Sequence, residues 1–159
     1  MKGFLYIPAM GSYIKFEDDR GVLVDVKPQD EKSAEYIPIE IIGRFEPLLV
    51  YQGSSERLIT ITMSLYFGNP DKLRALVNRL RSLVYPVRRK GSYTMPPVVI
   101  LRWGNNIKVR GVVRDISINY ENSVYDTAQN APYNVDISMT IVEQNSVPVS
   151  FQKVWSLKE

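Results

Sequence analysis

The sequence predicts a mainly β domain of the α+β kind, a sheet or barrel with one amphipathic helix packed on it. Three observations carry this prediction. Two long stretches alternate apolar and polar residues with a period of two. One stretch repeats apolar residues at helical spacing, and residues that favour tight turns punctuate the rest. The chain has 159 residues, enough for one hydrophobic core.

The N-terminal third holds four weaker strands, at residues 4–7, 13–16, 21–26 and 37–42. Glu17-Asp18-Asp19-Arg20-Gly21 suits a turn between two of them. Ile59, Ile61, Met63, Leu65 and Phe67 then alternate with Thr60, Thr62, Ser64 and Tyr66, which predicts a strand with one buried face. The helix follows, over about residues 70–84. Asn69 can cap it and Pro70 suits its first position. Leu73, Leu76, Val77, Leu80, Leu83 and Val84 form its apolar stripe, and Lys72, Arg74, Arg79 and Arg81 lie opposite. Tyr85-Pro86 ends it, because the residue before a proline disfavours helical angles. Arg88-Arg89-Lys90-Gly91-Ser92 reads as a basic loop.

Residues 98–103 and 107–120 read as a hairpin around Gly104-Asn105-Asn106. The second strand changes phase: Ile107, Val109 and Val113 share one parity, Ile116, Ile118 and Tyr120 the other. One extra residue swaps the faces, so a bulge or bend is expected near Arg114-Asp115. After a polar connection at 121–132, Tyr133, Val135, Ile137, Met139 and Ile141 alternate with Asn134, Asp136, Ser138 and Thr140 in a last long strand. Residues 1–144 form one domain, with 1–36 its variable part, and 145–159 are a C-terminal docking tail. Val147, Val149, Phe151 and Trp155 in that tail either cover the domain's own core or dock on a neighbour, with Phe151 and Trp155 the candidate docking residues.

Composition narrows the chemistry. The chain has no histidine and no cysteine. That removes imidazole bases, thiol nucleophiles, disulfides and zinc-thiolate sites, while catalysis by Asp, Glu, Lys, Ser or Tyr stays open. No phosphate-cradling glycine motif occurs. Glu17-Asp18-Asp19 lacks the alternating oxygens of a calcium loop and reads as a solvated turn. A carboxylate hydrolase needs two acids converging in a cleft, for which Asp115, Asp126 and Asp136 are the candidates. No membrane insertion is expected, since no stretch approaches about 18 apolar residues.

The net charge of +3 hides an uneven distribution. Residues 70–115 carry eleven Lys/Arg against two Asp/Glu, whereas residues 1–40 carry five against eight. Such polarity suits head-to-tail assembly, an acidic protein neighbour, a membrane surface or nucleic acid. Arg88, Arg89 and Lys90, with Tyr85 and Tyr93 near them, are the nucleic-acid candidates; the simpler reading is a solvated basic surface.

Met95-Pro96-Pro97-Val98-Val99-Ile100-Leu101-Arg102-Trp103-Gly104 resembles the PP-apolar-WG motif of contractile-injection-system tube and baseplate-hub proteins. Gly111-Val112, the strand Ile116-Ser117-Ile118-Asn119-Tyr120, the polar loop and the closing strand to Glu143 follow in that family's order. Upstream, Gly43-Arg44-Phe45-Glu46-Pro47, Tyr51-Gln52-Gly53-Ser54 and Arg57 resemble baseplate tube proteins of contractile-tailed phages. The resemblance spans about residues 37–144. It implies a tail-tube-like β-barrel or sandwich and a non-enzymatic virion protein of the tail tube or baseplate, assembled in the host cytoplasm. It implies a homo-oligomer, a hexameric ring, whose strands join around a channel that DNA crosses without specific binding. It also implies neighbouring tube, hub and baseplate proteins as partners, and no cofactor, metal or catalytic residue. On this picture Thr60, Thr62, Ser64, Asn134, Asp136, Ser138 and Thr140 line the lumen. Lys72, Arg74, Arg79, Arg81, Arg88, Arg89 and Lys90 face outer partners. The alternative is a nucleic-acid-binding β-barrel that uses the basic 70–115 block.

Overall fold

The computed structural model describes residues 3–16, 22–121 and 123–145. The expected turn and acidic triplet at 17–21 and the docking residues Phe151 and Trp155 lie outside the described residues.

The elements run β1 (Gly3–Ile7), β2 (Ser12–Lys15), β3 (Val22–Glu31), β4 (Ala34–Ile39), β5 (Leu48–Ser54) and β6 (Leu58–Phe67). Then come α1 (Pro70–Ser82), β7 (Arg88–Arg89), β8 (Ser92–Tyr93), β9 (Val98–Trp103) and β10 (Ile107–Asn119). Last are β11 (Tyr125–Asp126), β12 (Ala131–Pro132) and β13 (Asn134–Glu143). Over the described residues the chain is mainly β with one helix, as the sequence predicts. Seven strands form one antiparallel sheet in the order β2-β1-β9-β10-β13-β6-β3. Among the described residues the sheet does not close into a barrel: β2 and β3 are its two edges.

The core follows from the period of two. Ile59, Ile61, Met63 and Leu65 of β6 and Val135, Ile137, Met139 and Ile141 of β13 are buried on one face. Leu5 of β1, Val99 and Leu101 of β9, and Val109 of β10 continue that face, and Leu73, Val77 and Leu80 of α1 pack into it, with Leu83 just beyond. Full burial of such a side chain contributes roughly 1.5–3 kcal/mol relative to exposure. Among the described residues no polar or charged side chain is buried.

Asn69 caps α1, its Oδ1 accepting from the Asp71 backbone N–H at 2.9 Å, and Pro70 opens the first turn. The helix ends at Ser82, two residues before the expected limit. There Leu83, Val84 and Tyr85 donate backbone N–H bonds to the carbonyls three residues back, the tighter turn that often finishes a helix.

The expected phase change is a bulge. The pairing of β10 with β13 slips between Val113 and Asp115, leaving Arg114 as the extra residue. Because of it, Ile116 and Ile118 pack against the same core as Val109 and Val113. Two glycines admit close approaches nearby. A Cβ on Gly111 would lie 2.0 Å from the Val142 carbonyl oxygen. A Cβ on Gly3 would lie 2.3 Å from the Trp103 ring, which occupies that space.

Other boundaries differ from expectation. β3 runs five residues past Val26, through Pro28, which its edge position tolerates. The strand expected at 37–42 occupies Ala34–Ile39 and pairs with the unexpected β5. The basic loop at 88–92 is instead a small hairpin, β7 with β8, turning at Lys90 (φ +46°) and Gly91 (φ +83°). Both turn residues take positive φ, as a two-residue hairpin turn requires.

Candidate assembly surfaces

All seven expected lumen residues lie on the face of the sheet opposite the core. The register sets Thr60 opposite Thr140, Thr62 opposite Ser138, Ser64 opposite Asp136, and Tyr66 opposite Asn134. Directly opposed residues of an antiparallel pair share a face, and this face is polar because the intervening positions fill the core. Ser64 Oγ donates to Asp136 Oδ1 at 2.8 Å. Sequence patterning missed how far the surface extends. β10 adds Asp115, Ser117 and Asn119, and β3 adds Asp25, Lys27 and Gln29 in register. The result is a four-strand surface of hydroxyls and amides with three aspartates and one lysine.

The rest of that side has the opposite character. Across β2, β1, β9 and the first half of β10, the register aligns Lys15, Phe4, Arg102 and Lys108, and beside them Tyr13, Tyr6, Ile100 and Arg110. The Tyr6 and Tyr13 rings are 4.6 Å apart. The basic 70–115 block is therefore not one patch. Arg102, Lys108 and Arg110 lie on this sheet face, Arg114 projects at the bulge, and the other seven cations lie on α1 and the β7–β8 hairpin. Lys72, Arg74, Arg79, Arg81, Arg88, Arg89 and Lys90 are all exposed. Since α1 covers the apolar face of the sheet, its cations lie on the other side of the sheet from the hydroxyl surface.

Arg57, just ahead of β6, ties three strands together. Its guanidinium pairs with Asp30 of β3 at 2.5 Å and with Glu143 of β13 at 3.6 Å, and its side chain is only 26% exposed. Its carbonyl accepts the Glu143 backbone N–H at 3.0 Å. The Asp30 hydrogen bond holds the guanidinium pKa above its ordinary value against the opposing effect of burial, and the charge of Glu143 adds to the rise.

The least expected surface is the β4–β5 ribbon, a hairpin separate from the main sheet. Ile37 opposes Val50 and Ile39 opposes Leu48 on one face; Tyr36 opposes Tyr51 and Pro38 opposes Leu49 on the other. All eight side chains are exposed. At the tip, Ile42 and Phe45 are fully exposed. The signal for this arm was the apolar run Leu48-Leu49-Val50-Tyr51, which lacks alternation because both of its faces are apolar.

Among the described residues no cluster of three or more Asp or Glu side chains is placed to hold a metal ion, and no helix is long and apolar enough to cross a membrane. Of the three acidic hydrolase candidates, Asp126 sits on the β11–β12 ribbon, and the other two lie apart on the main sheet. Asp115 opposes Thr140, four residues from Asp136 on β13, which at strand rise is roughly 13 Å and wider than the ~5–10 Å of paired carboxylates in glycoside hydrolases. Compared with known proteins, the chain matches no family model and no curated protein.

Proposed function

We propose that this chain is a structural, non-enzymatic subunit of the tail tube or baseplate hub of a contractile phage tail or related injection system. It acts as a tube, initiator or adaptor ring. The observation that carries the reading is the β4–β5 arm, apolar on both faces and at its tip. A two-stranded hairpin is marginal alone in water, and an apolar surface of this kind calls for partners on both sides.

The open sheet supports the same reading. Among the described residues β2 and β3 are open edges whose free backbone groups, interrupted on β3 at Pro28, a neighbouring copy can pair, and closure into a ring removes both edges. The hydroxyl surface suits a channel lining, since its acidic bias repels phosphate and lets DNA pass. The helix cations, on the other side of the sheet, are then available to outer baseplate partners. The sequence resemblance to tube and hub proteins supports this choice of assembly, and the arm and edges supply a physical basis for association.

Electron cryo-microscopy of the protein with tail components tests this. The expected image is a six-fold ring with β6 and β13 turned to the lumen. A chain that stays monomeric and has no place in the particle overturns it.

One observation favours a second reading, nucleic-acid binding. Tyr6 and Tyr13 beside Lys15, Arg102, Lys108 and Arg110 combine stacking rings with cations on one sheet face. Salt-dependent DNA binding, lost on replacing Arg102 and Lys108 but kept on replacing Arg88, Arg89 and Lys90, would favour this surface over the helix and hairpin.

A further inference from the structure

We infer that the tip of the β4–β5 arm seats in a groove beside α1 on a second copy of this chain. The inference rests on the reading that copies associate.

The tip is shaped for insertion. Residues 40–47 join the two strands, and the Arg44 backbone N–H donates to the Ile41 carbonyl at 3.0 Å. Gly43 sits at φ +86°, so residues 41–44 make a turn of type II with Ile42 at its leading corner. The turn fixes Ile42 and leaves Phe45 beside it, both fully exposed. The turn orders the backbone at Ile42 before binding, which lowers the ordering cost there. Glu40 and Glu46 flank them.

The groove has matching chemistry. It lies between α1 and the connection that follows β10, and encloses about 340 Å³. Leu73 and Val77 line its helix side, Tyr120 and Tyr125 the opposite side. Arg74 and Arg81 add charge along the helix. Arg74 pairs with Asp71 at 2.7 Å, but both side chains are mostly exposed, so the contact is weak enough to exchange for a partner's carboxylate. An apolar tip flanked by two glutamates thus meets an apolar groove flanked by two arginines. The strands of the arm, six and seven residues long, carry the tip about 20 Å from their base, far enough to reach across to a neighbour.

The absence of natural cysteine makes a cross-linking test clean. Full-length Phe45→Cys and Asn78→Cys proteins are mixed, alone and with tail components, then oxidised. Asn78 lies on the groove wall. A disulfide between positions 45 and 78 is expected, identified by peptide mass. Adding Arg74→Glu and Arg81→Glu to the Asn78→Cys protein should lower its yield by roughly tenfold. Adding Glu40→Lys and Glu46→Lys to the other protein should restore it. Sedimentation reports association independently. Association without a 45–78 disulfide, or with tip-to-tip disulfides only, overturns this inference and leaves the ring reading standing. No association under any condition overturns both.

Discussion

Gly111 and Val142 approach so closely that a methyl group on the glycine would lie 2.0 Å from the valine carbonyl oxygen. The contact joins β10 to β13 three residues before the bulge, and the atom in the way belongs to the backbone, which cannot rotate aside. Gly111→Ala should therefore destabilise the fold by about 2–3 kcal/mol. Gly68→Ala, with open space around the Cβ and no positive φ, should stay within about 0.5 kcal/mol. Urea unfolding of the two variants checks the contrast; equal losses would contradict it.

The Arg57 cluster should show a measurable coupling. Arg57 and Asp30 are 26% and 34% exposed and joined by two nitrogens, so a double-mutant cycle with Arg57→Met and Asp30→Asn should give about 1 kcal/mol. The Lys27–Asp25 pair at 3.2 Å is mostly solvated, and the corresponding cycle should fall within experimental error. The raised pKa keeps Arg57 charged up to strongly alkaline pH, so its own titration will not weaken the cluster in the neutral range.

Arm and core should separate experimentally. Ile39→Asp with Leu48→Asp changes a directly opposed pair on the ribbon, outside the buried cluster. Thermal unfolding of the monomer should shift by the equivalent of no more than about 0.5 kcal/mol. Assembly, read by sedimentation, should be lost. Unchanged assembly would remove the arm from the interface.

The hydroxyl surface gives a test of channel chemistry. Thr62→Arg with Ser138→Arg puts two cations on a directly opposed pair. Folding should be unaffected, while DNA retention by the assembly should rise and fall again between 50 and 200 mM salt, on the order of tenfold. Retention that ignores both changes would argue against a lumen on this face.

The helix cap offers a calibration. Asn69→Ala removes the acceptor for the Asp71 N–H and should cost about 1 kcal/mol, read by urea unfolding.

Much of this architecture is legible in the residues, for identifiable reasons. β6 and β13 each bury one face and wet the other, so their period of two survives in the sequence, and the one-residue slip at Arg114 is visible as a change of parity. The seven lumen candidates fall on one surface because register follows from that same pattern. β5 hides because alternation needs one polar face, and residues 48–51 are apolar on both. The outer half of β3 hides for the opposite reason. Lys27-Pro28-Gln29-Asp30-Glu31 looks like a loop, yet an edge strand accepts a proline and leaves its charged side chains in solvent. The division of the basic block could not be read without pairing, since Arg102, Lys108 and Arg110 reach the sheet face only through the β9–β10 register.

That no polar side chain is buried among the described residues has a consequence for descent. The core's contacts are non-directional, so Leu, Ile, Val and Met can exchange over generations while volume and pattern hold. What resists drift is geometric: the bare backbone of Gly111 against Val142, the space on Gly3 taken by Trp103, and the link from Arg57 to Asp30 and Glu143. Ancestry in this fold is better traced through the spacing of those few fixed points than through the composition of its interior.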